Sequence, residues 1–435
     1  MEVIFIKKVF IHIFKYLLKI LICSMILISK YLLDNRYLLI SIILMVLHII
    51  ILDEYDNLEL IMLVLPSLLT FRTDTGSYVT WLLLFAFIKF LISRRRKIKL
   101  TKNFTIALLF IITYETIHAL NYTNQQLFQS IRWALLLAYA GLYLGDMELK
   151  INFEKTNNYF FWGIIISTAS GFLSNPNYLL SVGIVRFQGM QGDPNGYAQM
   201  ALIVGLFYLC LYFVKNMNSR LYIYKFIILI IFAFTTLSRA FIITFLLTMV
   251  CFIIIEIKKW NFKFLRFTVI TLIIGLITYR FFNEYIMQII DSYYLRLSYD
   301  DINQLSSGRY MLGNYYLTQV MSKPTNLLFG KGLIGHINAY GMTTGTHNIY
   351  LELLASWGII GTSFYVYYIY SLFYSTAKKY KRGVSHTICI IPLVAFLMYS
   401  ISLQAVAKYS TYFILIMIIE CFYYSINNKE VALDT

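Results

Sequence analysis

Charged residues are scarce in this chain. Only 13% of the 435 residues are Asp, Glu, Lys or Arg, whereas 59% are hydrophobic. The hydrophobic residues occur in runs of about 16 to 21 that short polar links separate, and each run is apolar on all faces. A soluble domain would instead show amphipathic helices with one polar face each. The sequence therefore excludes a soluble globular protein and predicts one that crosses a membrane many times.

Cysteine is also rare, and its placement excludes a disulfide framework. All five cysteines fall inside predicted spans, and none lies in a long loop where oxidation could pair it. No small-residue cleavage site follows the first apolar stretch, which we interpret as a retained span and not as a removed signal peptide. The net charge of +16 favours anionic lipid headgroups over nucleic acid as partners.

The hydrophobic runs predict an all-α polytopic membrane protein whose single membrane domain comprises residues 1–435. The third run is short and contains Pro66, so we expect 13 or 14 spans. The predicted spans lie at 9–30, 36–52, 57–70, 77–92, 104–120, 128–145, 159–174, 196–214, 222–237, 239–257, 264–282, 347–373, 386–402 and 404–424.

Lysine and arginine are concentrated in alternate links. The basic links are 93–102, the segment around Lys215 and Arg220, 256–266 and 377–383. Because positive residues favour the cytoplasmic side, strict alternation of the spans places all of these links and both termini there. The external set then comprises 121–126, 175–195, the turn at 238 and the large loop 283–346.

The external loop 283–346 should contain short amphipathic helices that lie on the membrane face. Apolar residues recur at helical spacing from Met311 to Val320, and Pro324 follows the end of this pattern. Ser306 or Ser307 can accept a hydrogen bond from the first turn of such a helix.

External links should contain few arginines, so the arginines that occur there are informative. The candidates are Arg72, Arg186, Arg239, Arg296 and Arg309. Arg239 stands at the first turn of a span, where the positive end of the helix dipole disfavours a cation unless an anion is bound. Snorkelling to lipid headgroups, or pairing within a loop, is the alternative for each arginine taken singly.

Two further arginines stand near helix starts. Arg186 lies in a glycine-rich loop that ends at Asp193, a candidate helix cap, and Arg309 begins the predicted external helix. Together with Arg239 they place three cations at three external helix starts. This pattern indicates a receptor for a doubly negative group.

The stretch TGTHNIYLELLASWGIIG, residues 344–361, places a histidine where an apolar run begins. His347, Gly358 and Gly361 share one face of a helix that starts at the histidine, and the glycines would let another helix approach closely. Histidine is suited to accept a proton near neutral pH, and Asn348 can orient a hydroxyl group or cap the helix. A histidine satisfied at a packed junction is the structural alternative.

Glu115 and His118 share one face of a predicted span, and Arg132 lies at similar depth in the next span. Because unpaired charges are costly within a membrane, we expect Glu115 and Arg132 to neutralise one another. A contribution to a ligand site just below the external surface is the alternative.

Four segments occur in order between residues 180 and 375: RFQGMQGDPNGYAQ, TTLSRA, SSGRYMLGNYYLTQVMSKPTNLLFGKGL and THNIYLELLASWGIIG. Together they resemble the O-antigen polymerase and ligase superfamily of bacterial envelope enzymes. The glycine that often follows the Ser-Arg pair in that family is Ala240 here. These enzymes transfer a glycan from a polyprenyl diphosphate to an acceptor hydroxyl at the outer face of the cytoplasmic membrane.

The resemblance implies a glycosyltransferase that polymerises oligosaccharide repeat units carried on undecaprenyl diphosphate, as in O-antigen, capsule or exopolysaccharide synthesis. Direct attack by the acceptor would invert the anomeric centre, whereas prior attack by Asp193 or Glu352 would retain it, and we expect inversion. The expected catalytic residues are His347, Arg239 and Arg309. The expected substrate contacts are Arg186, Arg239, Arg309, Asn348, Tyr350 and Asp193.

Neither a metal nor another cofactor is expected, because no His, Cys, Asp and Glu cluster has metal-ligand spacing in the sequence. The expected partners are the lipid-linked oligosaccharide and membrane lipids. A chain-length regulator and a flippase of the same pathway are candidate protein partners, and no nucleic acid is expected. The expected location is the bacterial cytoplasmic membrane, with the active site facing outside.

Two other enzyme or transport functions stay open. An O-antigen ligase would transfer the finished polymer to a lipid A core, and the sequence offers no feature that separates it from a polymerase. A flippase for the lipid-linked oligosaccharide would also be apolar and multi-spanning, but no clear internal repeat is visible. A non-enzymatic scaffold would leave Arg239 unexplained.

Overall fold

The computed structural model is built almost entirely of α-helices. One small antiparallel hairpin pairs β1 (Arg72–Thr73) with β2 (Gly76–Ser77). The structure describes residues 2–32, 34–67, 72–73, 76–94, 98–180, 185–214, 220–257, 262–298, 301–380, 387–403, 406 and 408–431. The helices are α1 Glu2–Tyr31, α2 Asn35–Ile51, α3 Glu54–Val64, α4 Tyr78–Arg94, α5 Lys102–Ala119, α6 Asn124–Gly145, α7 Phe153–Ser174, α8 Asn177–Leu180, α9 Pro194–Val214, α10 Arg220–Phe234, α11 Arg239–Ile257, α12 Phe262–Leu297, α13 Ile302–Leu305, α14 Arg309–Met321, α15 Pro324–Phe329, α16 His336–Ala339, α17 Ile349–Lys379, α18 Ile391–Tyr399 and α19 Tyr409–Val431.

Five of the described helices are long and apolar enough to cross a membrane, namely α6, α9, α11, α12 and α17. Shorter apolar helices cover Asn35–Ile51, Thr387–Ser402 and Ser410–Tyr423. The prediction of an all-α polytopic membrane protein is therefore confirmed in its coarse form. The figure of 13 or 14 spans stays a prediction.

Helix α9 lies at the centre of the bundle. Every residue from Tyr197 to Phe213 is buried, and α9 packs against α7, α10, α11, α18 and α19. In contrast, most side chains of α12 are exposed although they are apolar. Such a helix suits contact with lipid tails, because lipid tails form no hydrogen bonds and apolar side chains require none.

A buried charge network joins α1, α3 and α7. Lys19 Nζ lies 2.7 Å from Glu59 Oε2 and 3.7 Å from Asp56 Oδ1. Lys155 Nζ lies 2.6 Å from the other oxygen of Glu59. Because an isolated charge is costly away from water, each acid here is held by at least one lysine.

Helix α17 is broken at Gly358, which adopts φ 60° and ψ −163°. Only glycine takes this backbone conformation without strain. The break frees the carbonyl groups of the preceding turn: the amide of Lys331 donates to Ala355 (3.1 Å) and Ser356 (2.9 Å), and that of Gly332 to Ser356 (2.6 Å). The segment after α15 thus docks against the break.

The predicted helix face from His347 through Gly358 to Gly361 is wrong. The helix begins at Ile349, after the histidine, and the break at Gly358 interrupts its register. Close approach does occur at both glycines: a Cβ at Gly361 would lie 2.4 Å from the Tyr114 ring, and one at Gly358 would lie 2.4 Å from the Leu328 backbone.

The region predicted as the loop 283–346 is largely helical. Residues 283–297 continue α12 beyond a break at Phe282, and α13 to α16 follow. Helix α14 begins at Arg309, with the Tyr310 amide donating to Ser306 Oγ at 3.1 Å. Of its apolar residues, Tyr316 and Val320 are buried against protein, whereas Met311 is exposed. Part of the expected amphipathic face is therefore covered by the protein itself.

Glu115 on α5 fastens this region to the membrane helices. Its buried carboxylate accepts hydrogen bonds from Trp357 Nε1 (2.6 Å), the Tyr122 hydroxyl (2.8 Å) and the Leu333 amide (3.1 Å). These donors are neutral, and the expected pairing with Arg132 is not among the described contacts of Glu115.

Candidate anion-binding pocket

Four arginines from four different elements line one pocket of about 460 Å³. Arg186 precedes α9, Arg239 begins α11, Arg296 lies near the end of α12, and Arg309 begins α14. No Asp or Glu occurs among the described residues that line this pocket. We call it the arginine pocket. Four cations in one concave site attract an anion and disfavour a metal ion.

Arg186 is held by the turn between α10 and α11. Its Nε donates to the Thr236 carbonyl at 3.1 Å, and its terminal nitrogen donates to Asn195 Oδ1 at 2.9 Å. The Ser238 hydroxyl donates to the same Asn195 oxygen at 2.8 Å. Burial, reinforced by the nearby charge of Arg296, lowers the pKa of Arg186 from its ordinary value. A bound anion would relieve this cost.

Arg239 reaches from the start of α11 to the end of α12. Its guanidinium donates to the Arg296 carbonyl at 2.9 Å and to the Ser307 hydroxyl. The carbonyl end of a helix carries partial negative charge, so this contact offsets the unfavourable position of Arg239 at a positive helix end. Arg239 therefore ties three elements together at the pocket wall.

Arg309 enters the pocket after a sharp turn. Gly308, with φ 77°, and Ser307, with φ 55°, place the backbone in the left-handed region just before α14. Burial lowers the pKa of Arg309, and the negative charge of Asp193 partly opposes this.

His347 precedes α17 and also adopts a left-handed backbone conformation, with φ 51°. The next residue, Asn348, caps the helix: its Oδ1 accepts from the amides of Tyr350 (2.9 Å) and Leu351 (3.2 Å). The capping role that the sequence suggested for Asn348 is thus confirmed. Asn348 also lines the arginine pocket.

The environment of His347 favours its neutral form. The imidazole is half-buried, and burial lowers its pKa below the ordinary value. The positive charges of Arg309 and Lys408 lower it further, whereas Asp193 raises it. A neutral imidazole at physiological pH has a free ring nitrogen that can accept a proton.

Asp193 directly precedes α9 and pairs with a lysine that the sequence analysis did not single out. Its Oδ1 accepts from the Asn195 amide at 3.0 Å, and its Oδ2 lies 3.4 Å from Lys408 Nζ. The cap interpretation of Asp193 is confirmed. Lys408 was missed because it fell inside the predicted span 404–424, although a lysine within a span is itself an unusual feature.

Two expected residues lie elsewhere. The Tyr350 hydroxyl donates to the Leu397 carbonyl at 2.9 Å, and Tyr350 lines an apolar groove of about 610 Å³ between α17, α18 and α19, not the arginine pocket. Glu352 is buried, and its carboxylate accepts from the Val406 amide at 3.2 Å. Glu352 thus anchors the segment after α18 and is screened from the pocket.

The structure brings Arg186, Arg239, Arg309 and Asn348 together in one pocket. His347 and Asp193 are not among the described residues that line it, but each interacts electrostatically with Arg309. Arg296 belongs to the same pocket although the sequence placed it only among the external arginines. A scan against models of known protein families matched none of them, and a search of curated proteins found no match to this chain.

Proposed function

We propose that the protein transfers a glycan from undecaprenyl diphosphate to an acceptor hydroxyl at the outer face of the bacterial cytoplasmic membrane. The observation that supports this proposal most directly is the arginine pocket, where four arginines converge: Arg186, Arg239, Arg296 and Arg309. No Asp or Glu is among the described residues that line it. A diphosphate is a compact anion that arginine binds through paired hydrogen bonds.

A lipid-linked donor suits the surroundings of this pocket. The apolar groove starts at Ile349, directly after Asn348 of the arginine pocket, and is lined almost entirely by apolar side chains. A donor with a charged head and a hydrocarbon tail matches a charged pocket beside an apolar groove.

In the proposed reaction, the acceptor oxygen attacks the anomeric carbon and the bond from that carbon to the diphosphate breaks. His347 takes the acceptor proton, a role worth about 10² to 10⁴ in rate. Arg239 and Arg309 stabilise the negative charge that develops on the leaving diphosphate. Because a single displacement inverts the reacting carbon, we propose an inverting and metal-independent transfer.

The topology that goes with this proposal has 13 or 14 spans and an external loop 283–346. With 14 spans, both termini are cytoplasmic. The basic links then face the cytoplasm, and the arginine pocket faces outward. This orientation gives the pocket access to a donor that has already crossed the membrane.

Polymerisation of repeat units is the form of the reaction that we favour. A ligase would use the same pocket but a lipid A core as acceptor. A flippase would move the donor without forming a glycosidic bond. The products formed from a single lipid-linked repeat unit distinguish the three.

The test uses purified protein in liposomes with a lipid-linked repeat unit, and it measures polymer length over time. Arg239→Ala and His347→Ala are each expected to lower the rate at least about 100-fold. Arg36→Ala is the matched control, because Arg36 also stands at a helix start but is exposed and paired with Asp34. Rates close to wild type in both site variants would refute the assignment.

A further inference from the structure

Three buried cysteines from distant parts of the chain meet inside the helix bundle. Cys210 lies on α9, Cys389 in the 3₁₀ turn Thr387–Ile390 before α18, and Cys421 on α19. Each is at most 2% exposed, and their Sγ atoms lie within 4.8 Å of one another. We call this group the thiol cluster. The other two cysteines, Cys23 and Cys251, are only partly buried.

The thiol cluster is separate from the arginine pocket. Asn195 lines that pocket near the start of α9, and Cys210 follows it by 15 residues on the same helix. At a rise of about 1.5 Å per residue, the two sites lie about 22 Å apart along α9. The proposed glycan transfer makes no use of these thiols.

The spacing of the sulfurs is close to that of a metal centre. Three atoms no more than 4.8 Å apart share a point within about 2.8 Å of each of them. A thiolate binds zinc at about 2.3 Å, so a shift of about half an ångström by each side chain would complete a three-sulfur site. The three ligands come from three elements, so their convergence depends on the tertiary fold.

We propose that Cys210, Cys389 and Cys421 bind a soft monovalent cation, Cu(I), in three-coordinate geometry. Thiolates select Cu(I) and zinc among the biological metals, but structural zinc sites almost always have four ligands. The described group contains three cysteines and no fourth acidic or histidine ligand. The number of ligands therefore favours Cu(I).

Metal binding exchanges thiol protons for the ion. Each thiol that becomes a thiolate ligand releases its proton to water. The metal keeps its oxidation state, so no electron acceptor or donor is required.

The bound ion would join α9, the turn before α18, and α19. An ion that binds the folded state but not the unfolded chain raises the stability of the folded state. The thiol cluster is thus proposed as a structural clamp.

The test titrates the reduced full-length protein with Cu(I) in detergent, without oxygen, against a chromogenic Cu(I) chelator. Wild-type protein is expected to bind one ion per chain, and Cys421→Ser is expected to bind it at least tenfold more weakly. The matched control is Cys23→Ser/Cys251→Ser, which removes the two cysteines outside the cluster and should bind like wild type.

A second measurement needs no variant. X-ray absorption of the Cu(I)-loaded wild type should show three sulfur ligands, whereas nitrogen or oxygen bound directly to the metal would overturn the proposal. Binding by Cys421→Ser as tight as that of the wild type would overturn it too, as would failure of the wild type to compete with the chelator. Finding three free thiols instead of five in unfolded, unreduced protein would indicate a disulfide in the cluster and also overturn it.

Discussion

At the scale of single residues, the pocket depends on how each charge is compensated. Arg239 offsets its position at a helix start by reaching the carbonyl of Arg296, and Arg186 is fixed by neutral acceptors. His347 gains its neutral form from burial and from the charges of Arg309 and Lys408. The arginines can therefore hold an anion while the imidazole stays ready to accept a proton.

The titration of His347 should respond to Arg309. Arg309→Gln removes a positive charge that lowers the pKa of His347, so that pKa should rise. The protonated form then appears at higher pH, and the acid limb of the activity profile moves the same way. The pKa is measurable from the histidine ring signals in NMR, with His347→Gln giving the assignment.

Arg36→Gln serves as the control for this titration and should leave the pKa of His347 unchanged, because Arg36 pairs with Asp34 at another helix start. An unaltered His347 pKa in Arg309→Gln would show that the two side chains do not interact.

At the scale of elements, the break in α17 organises the short helices around the pocket. Helix α17 gives up its own hydrogen bonds at Gly358, and the segment after α15 takes them over. The Glu115 carboxylate then holds both partners through Trp357 and Leu333. These two sets of hydrogen bonds thus fasten the short helices α14 to α16 to the rest of the helix bundle.

Filling the break should destabilise the protein. Gly358→Ala would place a Cβ 2.4 Å from the carbonyl of Leu328 and 2.5 Å from the amide of Phe329, and would also impose a backbone conformation that L-residues avoid. The backbone strain alone costs about 1 to 3 kcal/mol. A lower Tm in detergent, measured by tryptophan fluorescence, is the expected result.

Gly275→Ala provides the matched comparison, because Gly275 lies in exposed α12 with no atom within 4 Å of a Cβ. Its Tm should be unchanged or slightly higher, since alanine favours a helix by about 1 kcal/mol over glycine. Equal Tm values for the two variants would contradict the role given to the break.

At the scale of the whole molecule, burial separates an inner from an outer part. Helix α9 is enclosed on all sides, whereas α11 and α12 present large apolar surfaces. Lipid tails can contact such apolar surfaces directly, so these outer helices need not be covered by other parts of the protein, whereas α9 is enclosed by protein. The arginine pocket and the thiol cluster lie at opposite ends of that central helix.

The proposed sidedness can be mapped with single cysteines and a membrane-impermeant maleimide. Lys323, between α14 and α15, should be labelled as Lys323→Cys in intact cells, and Lys99, before α5, as Lys99→Cys only after permeabilisation. The native chain is the control, since its own cysteines are buried or half-buried. The reverse labelling pattern would invert the topology.

The sequence by itself determined the membrane class and most of the helices, because long apolar runs and capping residues act locally. It therefore located the start of α14 at Arg309. It offered Asn348 as a cap only as one of two roles, and it placed the start of α17 at His347 instead of Ile349. It also selected three of the arginines that meet in the pocket, because arginines in predicted external links depart from the positive-inside rule and can be recognised in the sequence.

Only the tertiary structure decided which residues meet. The break at Gly358 depends on a second segment that takes over its hydrogen bonds, and no local pattern announces that partner. Three further features follow from helix packing over long sequence separations. They are the position of Tyr350 in the apolar groove, the pairing of Lys408 with Asp193 and the convergence of the thiol cluster. Periodicity defines the faces of a helix, but the partner of each face is set by the packing of the whole bundle.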